Sequence, residues 1–585
     1  MARNQEEHGL GADILYSVKA GRGPALRARG WRQEVILRLL ENNLENAEHP
    51  EQLIVYGGIG KAARNWESFH ATVDSLLSLE DNETLVMQSG MPVAVFRTHR
   101  LAPRVVMANT NIMKATWPVF YDLQDRNLTM FAQYTAGPWE YIGTQGVIQG
   151  TYETLKAVAR LHFGGSLRGR ILLTAGMGGM GGNQPRAMRM HGGVCICVDV
   201  DRERIEKRIA VGYCDDVVES LDEAIERAER AAAMQEPLGL ALVGNAVDVL
   251  EDVVARGWQP DVVTDMTPAH DPLSYIPVGL SVAEADDLRR TDREAYLARA
   301  RASMVRHLTA MNTLYDRGIQ VFEYGNSIRK EAADAGMADA MRIPGFVEAY
   351  IRPLFCEGRG PFRWMCASGD PEDLRTLDEL VLELFPDDEL VTEWINLAMH
   401  NIPIEGLPAR ICYLGFGERR TFGLKVNEYV RTGRLKGPVA FSRDNLDSGS
   451  IVNPTFESER MLDGSDLISD WPYINALLNT AAMADLVAIQ ANYSMGEAVH
   501  TGVTMIADGS DESDLRLDAC LTTDSGIGVV RHAQAGYDIA RRTADARFAE
   551  AGVRVPLWWS REATFGPAAP VAPTASAATP ARRGH

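Results

Sequence analysis

Residues 171–185, ILLTAGMGGMGGNQP, followed by VCICVDVD at 194–201, decide the fold. ILLTA is an apolar run of strand length. The cluster after it holds Gly176, Gly178 and Gly181 in G-x-G-x-x-G spacing, with Gly179 and Met180 between them. Glycines at this spacing let the chain turn sharply after a strand and let a pyrophosphate approach the backbone. The start of the following helix adds N–H donors and a partial positive charge. Asp199 lies 18 residues beyond Gly181, at the end of the next apolar run. A carboxylate there accepts from the adenosine ribose hydroxyls and repels a 2′-phosphate, which favours NAD over NADP. Pro185 falls in the first helical turn, where a missing N–H is tolerated.

Working outward, helical segments at 203–210 and 221–234 alternate with the apolar runs LGLALVGN (238–245) and DVVTDMT (261–267). That alternation predicts a parallel sheet of βαβ units. The expected fold class is α/β, with a Rossmann-like NAD-binding domain (140–350) inserted into a larger, discontinuous α/β core domain (1–139 and 351–565). Residues 31–47 carry apolar positions at helical spacing and predict an amphipathic helix. TLVMQ, VAVFRT and RVVMAN, between 84 and 109, predict strands. NALLNTAAMADLVAI (475–489) predicts a buried helix running into a strand. Residues 566–585 are low in complexity and expected to be disordered.

The chain has 585 residues, 46% hydrophobic and 24% charged, with a net charge of −20. This composition suits a multidomain globular enzyme and argues against nucleic acid or an anionic membrane as partner. Seven cysteines without a CxxC pair argue for reduced thiols; Cys195 and Cys197 are expected on one face of a buried strand, and no metal site is expected. The N-terminus lacks a signal pattern and no stretch approaches the length of a membrane span, so a cytoplasmic location is expected.

Many segments, in order, carry a resemblance: YGGIGKAARNW (56–66), VFRTH (95–99), TAGPWEYIGTQGVIQGTYET (135–154), LTAGMGGMGG (173–182), TDMTPAHDPL (264–273), EYGNSIR (323–329), IRPLFCEGRGPFRW (351–364), SGDPEDL (368–374), GLPARIC (406–412), LDSGS (446–450) and DGSDLISDWPYINALLNT (463–480). Together they resemble the urocanase family over nearly the whole chain. The resemblance implies a homodimer with one tightly held NAD+ per subunit. It implies hydration of an imidazole-acrylate to an imidazolone-propionate through a covalent adduct with NAD+, the nicotinamide acting as electron sink. Matched onto this sequence, the family's NAD+ contacts are Gly57, Gly58, Gln133, Gly179 to Gly181, Asp199, Arg204, Asn245, Ala246, Met266, Thr267, Pro268, Ala269, His270, Tyr275, Ile276 and Tyr324. Asp199 replaces a usual Glu, Met266 a usual Gln and Pro268 a usual Ser.

Cys412, in GLPARIC, matches the cysteine the family places at the active site. His270 is expected at the cofactor and is a candidate catalytic group. Asp444 and Asp447, in RDNLD, are candidates for proton transfer. Arg363, and alternatively Arg352, is a candidate for the acrylate carboxylate, and Lys61 and Arg64 are expected near anionic groups. Three segments depart from the family pattern. Paired histidines and a glycine run become Gln490, Ala491, Asn492, Tyr493 and Ser494; RDHLD becomes RDNLD, with Asn445; and Cys-Lys-Gly-Trp reads Ala28-Arg29-Gly30-Trp31. Asn445, Asn492, Tyr493 and Ser494 are therefore expected at the substrate, which is expected to be a modified urocanate: thiourocanate or S-methylthiourocanate, as arises from ergothioneine-type betaines, or an N-methylated form. The alternatives are an ordinary urocanate hydratase of histidine degradation, an NAD-dependent oxidoreductase, or a non-catalytic NAD-binding protein.

Overall fold

A computed structural model describes residues 19–491 and 495–556. The tail at 566–585 and the candidates Asn492, Tyr493 and Ser494 lie outside these residues. Strand Ile171–Ala175 is central to a six-stranded, all-parallel sheet whose order is Gln320–Val321, Val262–Val263, Ile171–Ala175, Val194–Asp199, Leu238–Val243, Asp216–Val218. Alternation along Val194–Asp199 divides its side chains between two cores. Cys195 and Cys197 face one apolar cluster, with Tyr152 and Val158 of helix Ile148–His162. Val194, Ile196 and Val198 face another, with Leu308 and Met311 of helix Arg293–Asp316. Two strands were not legible in the sequence. Asp216–Val218 is a three-residue edge strand with one buried side chain, and Gln320–Val321 has only two residues, too short for any periodicity.

The second sheet is mixed and draws on both ends of the chain. Its order is Ala409–Ile411, Phe362–Cys366, Val439–Arg443, Val499–Ala507, Leu486–Gln490, Val105–Asn109, Glu83–Gln88, Met91–Arg97, with Ile451–Val452 also pairing with Val499–Ala507. The halves meet where Val105–Asn109 runs parallel to Leu486–Gln490, from Val105 opposite Leu486 to Asn109 opposite Gln490. A short hairpin, Ile54–Tyr56 with Gly60–Lys61, projects Gly57 and Gly58 between the two sheets.

Two helices differ from expectation. Helix Trp31–Glu45 is buried nearly all round, although its sequence reads as amphipathic. Its polar side chains are spent on loops from distant parts of the chain. Asn43 Nδ2 donates to the Ala136 carbonyl (2.7 Å), Asn42 Oδ1 accepts from the Leu407 N–H (2.8 Å) and Arg38 Nη1 donates to the Ala367 carbonyl (2.6 Å). Helix Asp470–Ala481 leads into strand Leu486–Gln490 as expected, but it is not buried throughout. It buries Asn475 and Asn479, whose side-chain amides donate to Asp524, and exposes Ile474 and Leu477.

Asp485 clasps the seam between the halves. Its carbonyl accepts from the N–H groups of Arg104 (2.8 Å) and Val105 (3.2 Å), and its buried carboxylate accepts from Arg32 Nε and from the Ile506 N–H (2.8 Å). Arg516, also buried, lies 3.6 Å away. Removing one member of a buried, hydrogen-bonded pair costs about 3–5 kcal/mol, because the partner stays buried without its counter-charge. Asp485→Ala is expected to lower the urea midpoint by an amount corresponding to that loss. An unchanged midpoint would show that the seam holds without the carboxylate.

Candidate functional site

The strand order reverses beside Ile171–Ala175: the chain continues to Val194–Asp199 on one side and returns as Val262–Val263 on the other. Ligands of open parallel sheets settle at such a reversal, beyond the carboxyl ends of the strands. Here a cleft of about 380 Å³ opens between the glycine loop and Met266–Pro268 on the Rossmann side, and Tyr56–Gly58, Gln133, Tyr134 and Asp444 on the mixed-sheet side. Of the residues expected to hold the cofactor, all but Ala269 line it. Ala269 is fully buried within the turn that presents its neighbours.

The glycine loop is a cradle that a larger residue would fill. Gly176 has φ +87°, and a Cβ there would sit 2.3 Å from the Met266 carbonyl oxygen. A Cβ on Gly181 would sit 2.0 Å from the Gly176 carbonyl oxygen. The Gly179 N–H donates to Glu48 Oε1 at 2.6 Å, so the loop already receives an anionic group. Asp199 is buried at the base of the loop, accepting from the Met177 N–H (2.7 Å) and the Asp201 N–H (2.9 Å) and pairing with Arg204 (3.3 Å). Asn245 caps helix Ala246–Arg256 through the Val247 N–H (3.0 Å), and its amide donates to the Ile276 carbonyl (3.1 Å). The Tyr275 hydroxyl is anchored at His307 Nδ1 (3.0 Å) and that of Tyr324 at Thr151 Oγ1 (2.6 Å). His270 bonds through Nε2 to the Gly57 carbonyl (2.9 Å), and burial lowers its pKa, so it is a neutral imidazole. The cradle, the acceptor at Asp199 and the anion-receptive N–H fit NAD+.

The other end of the cleft is a wall of polar groups backed by aromatic rings. The buried carboxylate of Asp444 pairs with Arg363, whose Nε donates to the Gly146 carbonyl (2.7 Å). Arg363 itself does not line the cleft: it is buried behind Asp444, and its Nη1 has no partner among the described residues. Burial and the nearby Asp444 push the Tyr56 phenol well up, so it stays protonated. The Tyr134 hydroxyl donates to Glu457 Oε1. Beside them Phe456 packs on Phe346, and Phe346 on Tyr324, with ring centroids 5.0 and 4.7 Å apart.

Several candidates lie elsewhere. Cys412 does not line the cleft: its N–H bonds to the Phe362 carbonyl (2.8 Å), it lies wholly within an apolar cluster, and burial pushes its thiol well above the usual range. Asp447 is also away from the cleft, its carboxylate bonded to Arg419 at 2.7 Å. Arg352 donates to the Glu459 carbonyl (2.7 Å) and Arg64 to the Ser89 carbonyl (3.0 Å), so both serve backbone. Lys61, largely buried, does not reach the cleft. Arg29 pairs with Glu80 at the surface, so the departure at 28–31 is remote from the cleft. Asn445 stands one layer behind the wall, its amide against His500 Nδ1 at 2.8 Å. Glu48, Tyr56, Tyr134, Phe456 and Glu457 also line the cleft and are not among the residues expected there from the sequence. Tyr56 and Tyr134 begin or adjoin the quoted segments at 56–66 and 135–154, where an aromatic beside a turn was the available signal. Phe456 and Glu457 fall between quoted segments, and nothing in their pattern marks them.

A Rossmann-like sheet whose glycine cradle faces such a wall defines a dinucleotide-dependent α/β enzyme. Residues 18–140 match the urocanase N-terminal domain, 143–350 the urocanase Rossmann-like domain and 353–546 the urocanase C-terminal domain. The chain belongs to the urocanase family, hydro-lyases that use tightly bound NAD+.

If the cradle holds the cofactor, Gly176→Ala, which meets the Met266 carbonyl and requires a left-handed backbone, is expected to purify folded but without NAD+. The checks are far-UV circular dichroism and quantitation of nucleotide released by acid. A full complement of NAD+ in the variant would contradict the assignment.

Proposed function

We propose that the protein hydrates a ring-substituted urocanate, with S-methylthiourocanate or thiourocanate as the leading substrates. The observation that carries this reading is the convergence of two separate departures from the family pattern on one residue, Tyr134, at its backbone carbonyl and at its ring. Gln490 takes a hydrogen bond from Asn109 (3.0 Å) and donates to the Tyr134 carbonyl (2.7 Å). Asn445 bonds to His500, whose ring lies 4.9 Å from that of Tyr134. Tyr134 in turn faces the cleft beside Phe456. Changes at 445 and 490, far apart in sequence, thus reshape the same wall. A polarizable sulfur substituent suits an aromatic neighbour such as Phe456.

Bound NAD+ supplies an electron sink through its pyridinium ring. The chain's own residues do the rest. The positive charge of Arg363, held behind the wall by its pair with Asp444, attracts the acrylate carboxylate into this end of the cleft. The Tyr56 hydroxyl is held by Thr135 Oγ1 (3.2 Å) and keeps its proton, so it donates rather than accepts charge.

Steady-state turnover of urocanate, thiourocanate and S-methylthiourocanate tests the reading. The sulfur-bearing compounds are expected to give the higher kcat/KM. Phe456→Ala is expected to reduce that preference by about tenfold, the scale of a methyl-sized contact in a hydrophobic pocket. Fastest turnover of plain urocanate would favour the ordinary hydratase. Absorbance of NADH appearing with substrate would favour an oxidoreductase.

We also infer that the subunits pair as a homodimer through the surface around helix Asp470–Ala481, where Leu467, Ile474 and Leu477 are 67%, 42% and 70% exposed. Leu477→Glu is expected to halve the mass seen by light scattering. A variant that stays dimeric would move the interface elsewhere.

A further inference from the structure

Glu457 is the least expected group in the cleft. It is 4% exposed and follows strand Ile451–Val452 on the wall formed with Tyr134 and Phe456. The Tyr134 hydroxyl donates to Oε1, and the Asn453 side chain also supports the carboxylate. Glu457 lines the cleft, and a carboxyl at a ligand cleft that lacks an ion-pair partner can hold and release a proton there.

The surrounding charges do not supply Glu457 with a counter-ion. Glu323 and Glu459 both pair with Arg329. Asp444 pairs with Arg363. His500, packed behind Tyr134, is held down to about 3 by burial and by Arg443, so it is neutral. Burial accordingly pushes Glu457 up to about 8, with hydrogen bonds from Tyr134, its own backbone N–H and Asn453 restraining the rise. The carboxyl is protonated at neutral pH and loses its proton as pH rises through that value.

We propose that Glu457 is a catalytic proton carrier of this site, positioned by Tyr134. The proposal rests on the hydratase reading. Hydration adds a hydroxyl to a ring carbon and a proton to the side chain. Glu457 gives its proton to an acrylate carbon as the C=C electron pair forms the new C–H bond. The carboxylate left behind takes a proton from the water whose oxygen bonds to the ring carbon. The carboxyl is restored, one water is consumed, the ring π pair displaced by the new C–O bond forms an exocyclic C=C, and shift of the ring C–H proton to the side chain gives the imidazolone-propionate.

The test compares the wild-type holoenzyme with Glu457→Gln, Glu457→Asp and Tyr134→Phe. NAD+ content and the Kd of imidazolepropionate, an unreactive analogue, are measured in each. Glu457→Gln is expected to keep both while losing about 100-fold or more in kcat, the usual scale of a positioned acid–base group. Glu457→Asp is expected to restore part of that loss. Wild-type kcat is expected to fall above about pH 8, and the small residual turnover of Glu457→Gln to lack that limb. Removing the Tyr134 hydrogen bond withdraws support from the carboxylate, so Tyr134→Phe is expected to move the limb to higher pH. Turnover of Glu457→Gln close to wild type with the limb intact overturns the proposal and leaves the hydratase reading standing. If the wild type neither binds imidazolepropionate nor turns over any imidazole-acrylate, the hydratase reading fails, and the proposal falls with it.

Discussion

The parallel pairing of Val105–Asn109 with Leu486–Gln490 is the contact on which the rest of the molecule depends. Parallel strands cannot be joined by a tight turn. Here the connection is long enough to contain the whole Rossmann sheet. At one end of the seam Asp485 locks Arg32 of the first helix to the last strands. At the other end Asn109 and Gln490, 381 positions apart, bond to each other, and Gln490 holds the Tyr134 carbonyl. The same ladder that closes the mixed sheet thus ends at the wall of the cleft. Register errors would be felt in the site directly, because a one-residue slip turns every side chain to the other face.

The cleft is shared between two bodies of structure, and this explains how a nucleotide comes to be held rather than exchanged. The glycine loop and Asp199 come from the parallel sheet; Glu48, Tyr56, Gly57 and Gln133 come from the N-terminal segment. Direct bonds already cross the gap: Gly179 to Glu48, and His270 to the Gly57 carbonyl.

What the sequence made legible follows periodicity and backbone necessity. The glycine cradle was legible because few residues tolerate the backbone and the close approach at Gly176 and Gly181, and Asp199 because its spacing is tied to a strand length. The buried strands Val194–Asp199 and Leu238–Val243 announced themselves as unbroken apolar runs. Helix Trp31–Glu45 misled because burial of polar residues depends on partners such as Ala136 and Leu407, remote in sequence and invisible to a local pattern. Helix Asp470–Ala481 misled in the opposite sense: Asn475 and Asn479 go inward because Asp524 and Arg443 form a buried network there, leaving apolar residues outside. Cys412 and Asp447 looked chemical by residue type and motif, yet Cys412 is buried among apolar side chains and Asp447 is tied to Arg419.

The remaining contrast lies within the cleft itself, where burial sorts titratable groups by whether a partner of opposite charge is at hand. Asp444 has Arg363. Among the described residues Glu457 and His500 have no such ion, so low polarity drives each toward its neutral form, upward to about 8 for the acid and down to about 3 for the base. Between those values the wall around Tyr134 carries no charge of its own from these two groups. A cationic pyridinium and an anionic acrylate entering this cleft would meet a fixed ion pair on one side and proton-bearing neutral groups on the other. The wall thus holds two distinct pairs, a charged one at Arg363 and Asp444 and a hydrogen-bonded one at Tyr134 and Glu457.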